Sequence, residues 1–195
     1  GFKLSPKNHP FVAAMRNEEI AYLKKFYKNY QPRNIWEMYF LSHSHDSSMI
    51  SLPWNSVRKK TDLTDQDDDH QWFGPVSHER VELEFRRCKN CFLSIKNTGY
   101  YPQKYGGYPR GHFLIGEDDF CFQVMGGQHR LAALSALGWK RIEVMSMNGP
   151  FRLVHRRDVD SWPAVKEGYV SREDALVIFD LHLTAGTFEK QKKLI

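Results

Sequence analysis

The stretch Gly126-Gly127-Gln128-His129-Arg130 gathers residue types that bind anions. Adjacent glycines let the backbone turn sharply and bring its N–H groups close to a ligand. The Ala/Leu-rich segment that follows has helical spacing, so its N-terminus would add free N–H donors and the positive end of a helix dipole. Arg130 carries a guanidinium fork that matches phosphate oxygens, and His129 offers a further donor. These residues predict a phosphate-binding loop and hence a protein that handles nucleotides. The structural alternative is a tight strand-to-helix turn whose His and Arg merely face solvent.

Other reactive residue types are less pointed. Cys88 and Cys91 form a C-x-x-C pair, but with Cys121 as the only other cysteine no second pair completes a zinc site. The pair reads as buried positions on one helix, and the low odd count predicts a reducing, cytoplasmic setting. His43, His45 and Asp46 lack the spacing of a completed metal site, and Asp65, Asp67, Asp68 and Asp69 lack the Gly and terminal Glu of a calcium loop. Both stretches read as solvated loop. His155, Arg156 and Arg157 form a second basic cluster, read as a turn. The net charge of +5 permits a polyanionic partner without demanding one, because the basic residues are scattered. No apolar run is long enough to span a bilayer and no signal peptide is visible, although the chain opens on Gly1 rather than on Met.

The elements that must position the loop follow from periodicity. Apolar residues from Ile20 to Tyr30 recur at helical spacing up to Pro32, and Ile35 to Leu41 reads as a short apolar helix. Residues 42–77 read as a long loop. Ser77 caps a helix that carries Val81, Phe85, Cys88, Phe92 and Ile95 on one face and stops at Gly99, expected as a left-handed cap. A Gly/Pro/Tyr-rich loop from Tyr100 to Arg110 leads into strands His112–Gly116 and Phe120–Met125, joined by an acidic turn. The helix Gln128–Leu137 ends at Gly138, and Arg141–Met147 alternates as a strand. Beyond it, Phe151–His155 reads as extended, Arg157–Glu167 as a short helix, and Ser171–Leu183 as a helix opened by Ser171 and Asp174.

This order resembles the ParB/sulfiredoxin superfamily over residues 77–147. The resemblance rests on the helix ending at Ser94-Ile95, Gly99, the hairpin, Gly127-Gln128-His129-Arg130-Leu131-Ala132-Ala133, Leu137-Gly138 and a final strand. It implies an α+β fold, a small sheet with packed helices, with residues 1–76 as a helical, loop-rich extension, 77–150 as the nucleotide-binding core and 151–195 as a C-terminal helical extension. It also implies that the loop holds the phosphates of ATP or CTP. Gln128 stands where sulfiredoxins carry their nucleophilic cysteine, so that activity is not expected. The partition proteins have a DNA-reading domain after the loop, and no such unit is recognisable here. The free serine kinases read Asp-Gly-His-His-Arg; His129 and Arg130 match, whereas Gly126 replaces the Asp.

The expectation is therefore a nucleotide-dependent phosphotransferase acting on a small hydroxylated metabolite or sugar derivative, with ATP or CTP and Mg²⁺. The kinase branch places its catalytic Glu near the start of the helix before the loop, which points to Glu79 or Glu82, with His78 as a lesser candidate and His129 beside the phosphates. Tyr100, Tyr101, Lys104, Tyr105, Tyr108 and Arg110 are candidates for the substrate pocket. The alternative is a non-catalytic CTP- or ATP-binding switch, or a nucleic-acid-associated module of the ParB type.

Overall fold

A computed structural model describes residues 9–39, 51–57, 73–104, 106–147 and 152–184. His43, His45, Asp46, the aspartates at 65–69 and Tyr105 lie outside the described residues. The architecture is α+β.

Helices α1 (Pro10–Asn17) and α2 (Ala21–Asn29) open the described chain. The helical pattern expected from Ile20 to Tyr30 is α2, and α1 precedes it as a helix that was not expected. His9 caps α1 by accepting from the Phe11 amide, and Pro10 starts it, its missing N–H being one that has no partner in a first turn. Glu18 at φ 54° turns the chain between them. The third helix, α3, is short (Ile35–Met38), with Asn34 accepting from the Glu37 amide.

The longest helix, α4 (His78–Thr98), begins where Ser77 Oγ accepts from the Arg80 amide at 3.1 Å. It ends at Gly99, as expected, but with φ 87° and ψ 174° that residue is not a left-handed helical cap. Strands β1 (Arg110–Ile115) and β2 (Phe120–Gly126) form the expected antiparallel hairpin, with Phe113 opposite Phe122 and Arg110 opposite Gly126. Close approach explains Gly111, since a Cβ there would stand 1.9 Å from the Gln123 carbonyl oxygen.

Helix α5 (Gln128–Ala136) follows β2 directly. Of the expected strand Arg141–Met147 only β3 (Met145–Ser146) pairs, in parallel with the start of β1; β4 (Leu153–His155) pairs with the rest of β1. The single strand β1 therefore has to serve two short partners, and neither can be long. The expected helix 157–167 is split into a 3-10 helix (Arg156–Ser161) and α6 (Pro163–Lys166). Pro163 is the reason, because the residue before a proline is driven out of helical geometry, and Trp162 has ψ 136°. The last helix, α7 (Arg172–Leu183), is capped as its sequence suggests, with Ser171 Oγ 3.1 Å from the Asp174 amide and 2.7 Å from its carboxylate.

Two hydrophobic cores result. The first joins Phe11, Val12 and Met15 of α1, Leu23, Phe26 and Tyr27 of α2, Val81, Cys88, Phe92 and Ile95 of α4, and Ala132 to Leu134 of α5. The second gathers Ile35 and Trp36, Trp54, Leu114 of β1, Val154 of β4, and Trp162, Ile178 and Phe179. Trp54 is its hub, fully buried, with its ring edge-on to Trp162 at 5.2 Å and to Phe179 at 5.7 Å. Its indole N–H donates to Gln123 Oε1 at 3.0 Å, which pins β2. Tyr39 and His182 close this core, with Tyr39 Oη 2.7 Å from His182 Nε2.

Burial of the His182 ring between Tyr39 and Trp54 lowers its pKa to about 4, and burial lowers that of His9 to about 4 as well. Both imidazoles are neutral in the folded protein near neutral pH, and both regain the ordinary value of 6.5 on unfolding. The unfolded chain then binds more protons, so the stability tied to these rings is fully present above pH 6.5 and is lost as pH falls toward 4. Urea denaturation across that window should show this decline, and His182→Asn should make it shallower by roughly one proton.

Candidate functional site

The loop singled out in the sequence is the passage from β2 to α5. Gly127 is the N-cap of α5, at φ 87° and ψ 23°, and no side chain caps that helix end. A side chain at 127 would be strained by the positive φ, and its Cβ would stand 3.0 Å from Pro109 Cα. Gly126 is different: a Cβ there would meet nothing within 4 Å, so the space beside it is open. The first amides of an uncapped helix have no intrahelical acceptor, so the end of α5 presents free donors beside that open space.

The two arginines singled out near this turn, Arg110 for the substrate pocket and Arg130 for phosphate, stand differently. Arg110, the first residue of β1, is register-paired with Gly126 and exposed, and its side chain makes no ion pair or hydrogen bond among the described residues. Arg130 is engaged. Its Nη1 donates to the carbonyl oxygens of Gly106 and Gly107, at φ 71° and 72°, and this draws the Gly/Pro/Tyr loop down onto the first turn of α5.

His129 turns the other way, into the first core. Its Nε2 lies 2.8 Å from Oε2 of Glu84, a fully buried carboxylate on α4. Arg87 Nη1 approaches Glu84 Oε1 at 2.7 Å, and Arg80 Nη2 approaches the same oxygen at 3.3 Å. Phe11 of α1 stacks on the imidazole, with centroids 5.4 Å apart and planes 12° from parallel. Burial acts to raise the Glu84 pKa, but the His129 hydrogen bond and charge, with Arg87 and Arg80, outweigh it and hold the carboxyl below its ordinary value.

Neither Glu79 nor Glu82 bonds to residues 126–130. Glu79 is exposed in the first turn of α4, where its own amide and Ser77 hold its pKa down. Glu82 is exposed and lies 3.1 Å from His78 Nε2. The acid that reaches the loop is Glu84, which sequence reading missed. At about 100° per residue, Glu82 is turned some 200° from Glu84 and faces away from the core. A signal was present: Glu84 falls on the stripe of Val81, Cys88 and Ile95, and a charged residue on an apolar stripe requires a partner.

The tyrosine loop is arranged around its own contacts. Tyr101 is 51% exposed, with Lys104 Nζ 5.6 Å above its ring, so this pair lies on the surface. Tyr100 packs edge-on to Trp139 at 6.0 Å and Tyr108 accepts from Gln103. Arg156 forms a two-pronged pair with Asp180 at 2.8 and 2.9 Å, and Arg157 lies 3.8 Å from Asp158; the second basic cluster is thus matched by acids. The thiols of Cys88, Cys91 and Cys121 are all pushed up by burial, Cys121 to about 11, and stay protonated near neutral pH.

Among the described residues no group of three or more His, Cys, Asp or Glu is placed to hold a metal ion. Glu84 does not fit Mg²⁺, since it is fully buried and both oxygens are already engaged. No described helix is long and apolar enough to cross a membrane. Comparison of the chain with protein-family models, with curated proteins and with solved structures found no match.

The buried carboxylate should dominate stability among the acids of α4. Glu84→Ala removes the buried carboxylate that Arg80, Arg87 and His129 all engage, and should lower the unfolding free energy by about 3–5 kcal/mol. Glu82→Ala removes an exposed pair and should change it by less than about 0.5 kcal/mol. Urea titration of the two variants checks the contrast.

Proposed function

We propose that the protein binds a nucleoside triphosphate, ATP or CTP, with its phosphates at the β2–α5 turn, and transfers a phosphoryl group to a small hydroxylated metabolite or sugar derivative. The observation that carries the reading is the uncapped N-terminus of α5 behind the left-handed Gly127, with the unpaired Arg110 opposite Gly126. Free amides and a helix dipole stand beside the open space at Gly126, with the Arg110 guanidinium on the adjacent strand, and a phosphate chain is a ligand that could use all of them. Arg130 serves here by holding the Gly106–Gly107 loop against the turn, which shapes the wall of the site. The resemblance of residues 77–147 to the ParB/sulfiredoxin superfamily points to the same ligand. Among the described residues no free carboxylate contacts the turn, so Mg²⁺ would arrive on the triphosphate itself.

One observation favours a second reading, a binding switch of the ParB type without turnover. Glu84 is the carboxylate that reaches residues 126–130, and it is occupied by Arg80, Arg87 and His129. Glu79 and Glu82 do not supply the acceptor's base by contact with the turn.

A thermal-shift screen with ATP, CTP, ADP and GTP, each with and without Mg²⁺, addresses binding, because a selective ligand raises the melting temperature by mass action. Arg110→Ala should weaken triphosphate binding about 10-fold or more, the usual range for one charged hydrogen bond, and leave nucleoside binding unchanged. Equal loss for both ligands would show that the turn is no phosphate clamp. Phosphoryl transfer followed by ³¹P NMR separates the enzyme from the switch.

A further inference from the structure

We propose that the stretch Lys140–Val144, which leads into β3, is an interface for a second copy of this chain, pairing antiparallel with itself about a two-fold axis at Ile142. The inference is independent of what binds at the β2–α5 turn.

The stretch overshoots the sheet. Strand β3 runs parallel to β1, with Met145 opposite Arg110. The Met145 and Met147 amides point inward and donate to the Pro109 and Gly111 carbonyls, each at 2.8 Å. The next bond upstream in a parallel ladder would run from the amide of residue 109 to the Glu143 carbonyl, and Pro109 has no N–H. The ladder stops there. Among the described residues no backbone hydrogen bond reaches residues 140–144. The chain still keeps a strand's period of two, with odd-numbered residues exposed and even-numbered ones half-buried from Arg141 to Met147. Ile142 rests against the first core. Since Met145 and Met147 turn their backbone groups toward β1, Ile142 and Val144 turn theirs outward along an open edge. An open strand edge is a template for another strand.

The side chains select the occupant and its register. Arg141 and Glu143 are exposed on one side of the strand, with opposite charges two residues apart. The Arg141 side chain makes no ion pair or hydrogen bond among the described residues. Glu143 accepts from the Tyr108 hydroxyl and has no cationic partner among them. Because the outward groups belong to even-numbered residues, a two-fold axis must pass through one of those. An axis at Ile142 sets Arg141 of each copy opposite Glu143 of the other. Those positions form pairs without mutual backbone bonds, where Cα atoms come within about 4.5 Å and side chains meet. It also sets Trp139 opposite Met145, both apolar and exposed at 43% and 46%. An axis at Val144 would place Glu143 against Met145 and Arg141 against Met147, matching no charge. An axis at Lys140 would run the pairing into the turn at Gly138.

A surface ion pair adds little affinity by itself, so the charges act on register and on choice of partner. Affinity comes from the backbone bonds along the edge and from the apolar contact at each end. The contact is short, so the dimer is weak and depends on concentration.

Sedimentation equilibrium of the full chain tests the interface. The wild type should rise from 22.9 kDa toward twice that mass as loading concentration increases. A mass that stays at 22.9 kDa up to about 1 mM overturns the proposal. Arg141→Glu sets Glu against Glu, and Glu143→Arg sets Arg against Arg; each should raise the dimer Kd about 10-fold or more. An equimolar mixture of the two variants regains opposite charges at both positions, and should dimerise with a Kd within about threefold of the wild type. A dimer that neither variant weakens, or a mixture no better than its components, shows that the copies do not meet in this register and overturns the proposal. Both side chains are exposed, so the variants should keep the wild-type circular dichroism spectrum.

Discussion

The buried carboxylate of Glu84 is the constraint on which the arrangement of this protein turns. A lone carboxylate cannot remain ionised inside an apolar core, so neighbouring elements must bring donors to it. Arg80 and Arg87 come from its own helix, one turn to either side, and His129 comes from the first turn of α5. The requirement fixes how α5 lies on α4, and Phe11 then seats α1 over the imidazole. Apolar packing of Val81, Cys88, Ala133 and Leu134 brings the helices together without choosing a unique register. The ionic contact chooses it, because a shift of one residue along α5 would part His129 from Glu84.

Much of this was legible before any coordinates. The caps at Ser77 and Ser171, the hairpin, the helix after Gly127 and the burial of Cys88 (though not of the half-buried Cys91) follow from local rules, and local rules hold where a residue answers mainly to its neighbours in sequence. What was not legible depended on distant partners. Glu84 looked like one polar residue among several in a charged helix, and only its place on the apolar stripe marked it. Glu79 drew attention because it stands at the helix start, where an acid is already explained by the dipole and by Ser77. Helix α1 was missed for another reason. Its signals, His9 as cap and Pro10 at the first position, are real but short, and its stability comes from packing on α4 and α5 rather than from its own sequence. The shortness of β3 is a matter of topology, since it shares one edge of β1 with β4.

The candidate site owes its character to the place where the two cores meet. Strand β2 belongs to the second core, pinned through Gln123 to Trp54. Helix α5 belongs to the first core, pinned through His129 to Glu84. Gly126 and Gly127 are the chain's passage between them, and Gly127 is glycine because both its backbone angle and the closeness of Pro109 demand it. Arg110 stands on the sheet side of this seam and Arg130 on the helix side. A polyanion at the turn would therefore touch groups held by separate cores. Such a site gains rigidity on both flanks from packing that has nothing to do with the ligand, while the passage itself stays open because Gly126 carries no side chain. Clefts between packed units commonly bind ligands for this reason: each wall is stiff, and the gap between them is left unfilled by the demands of either core.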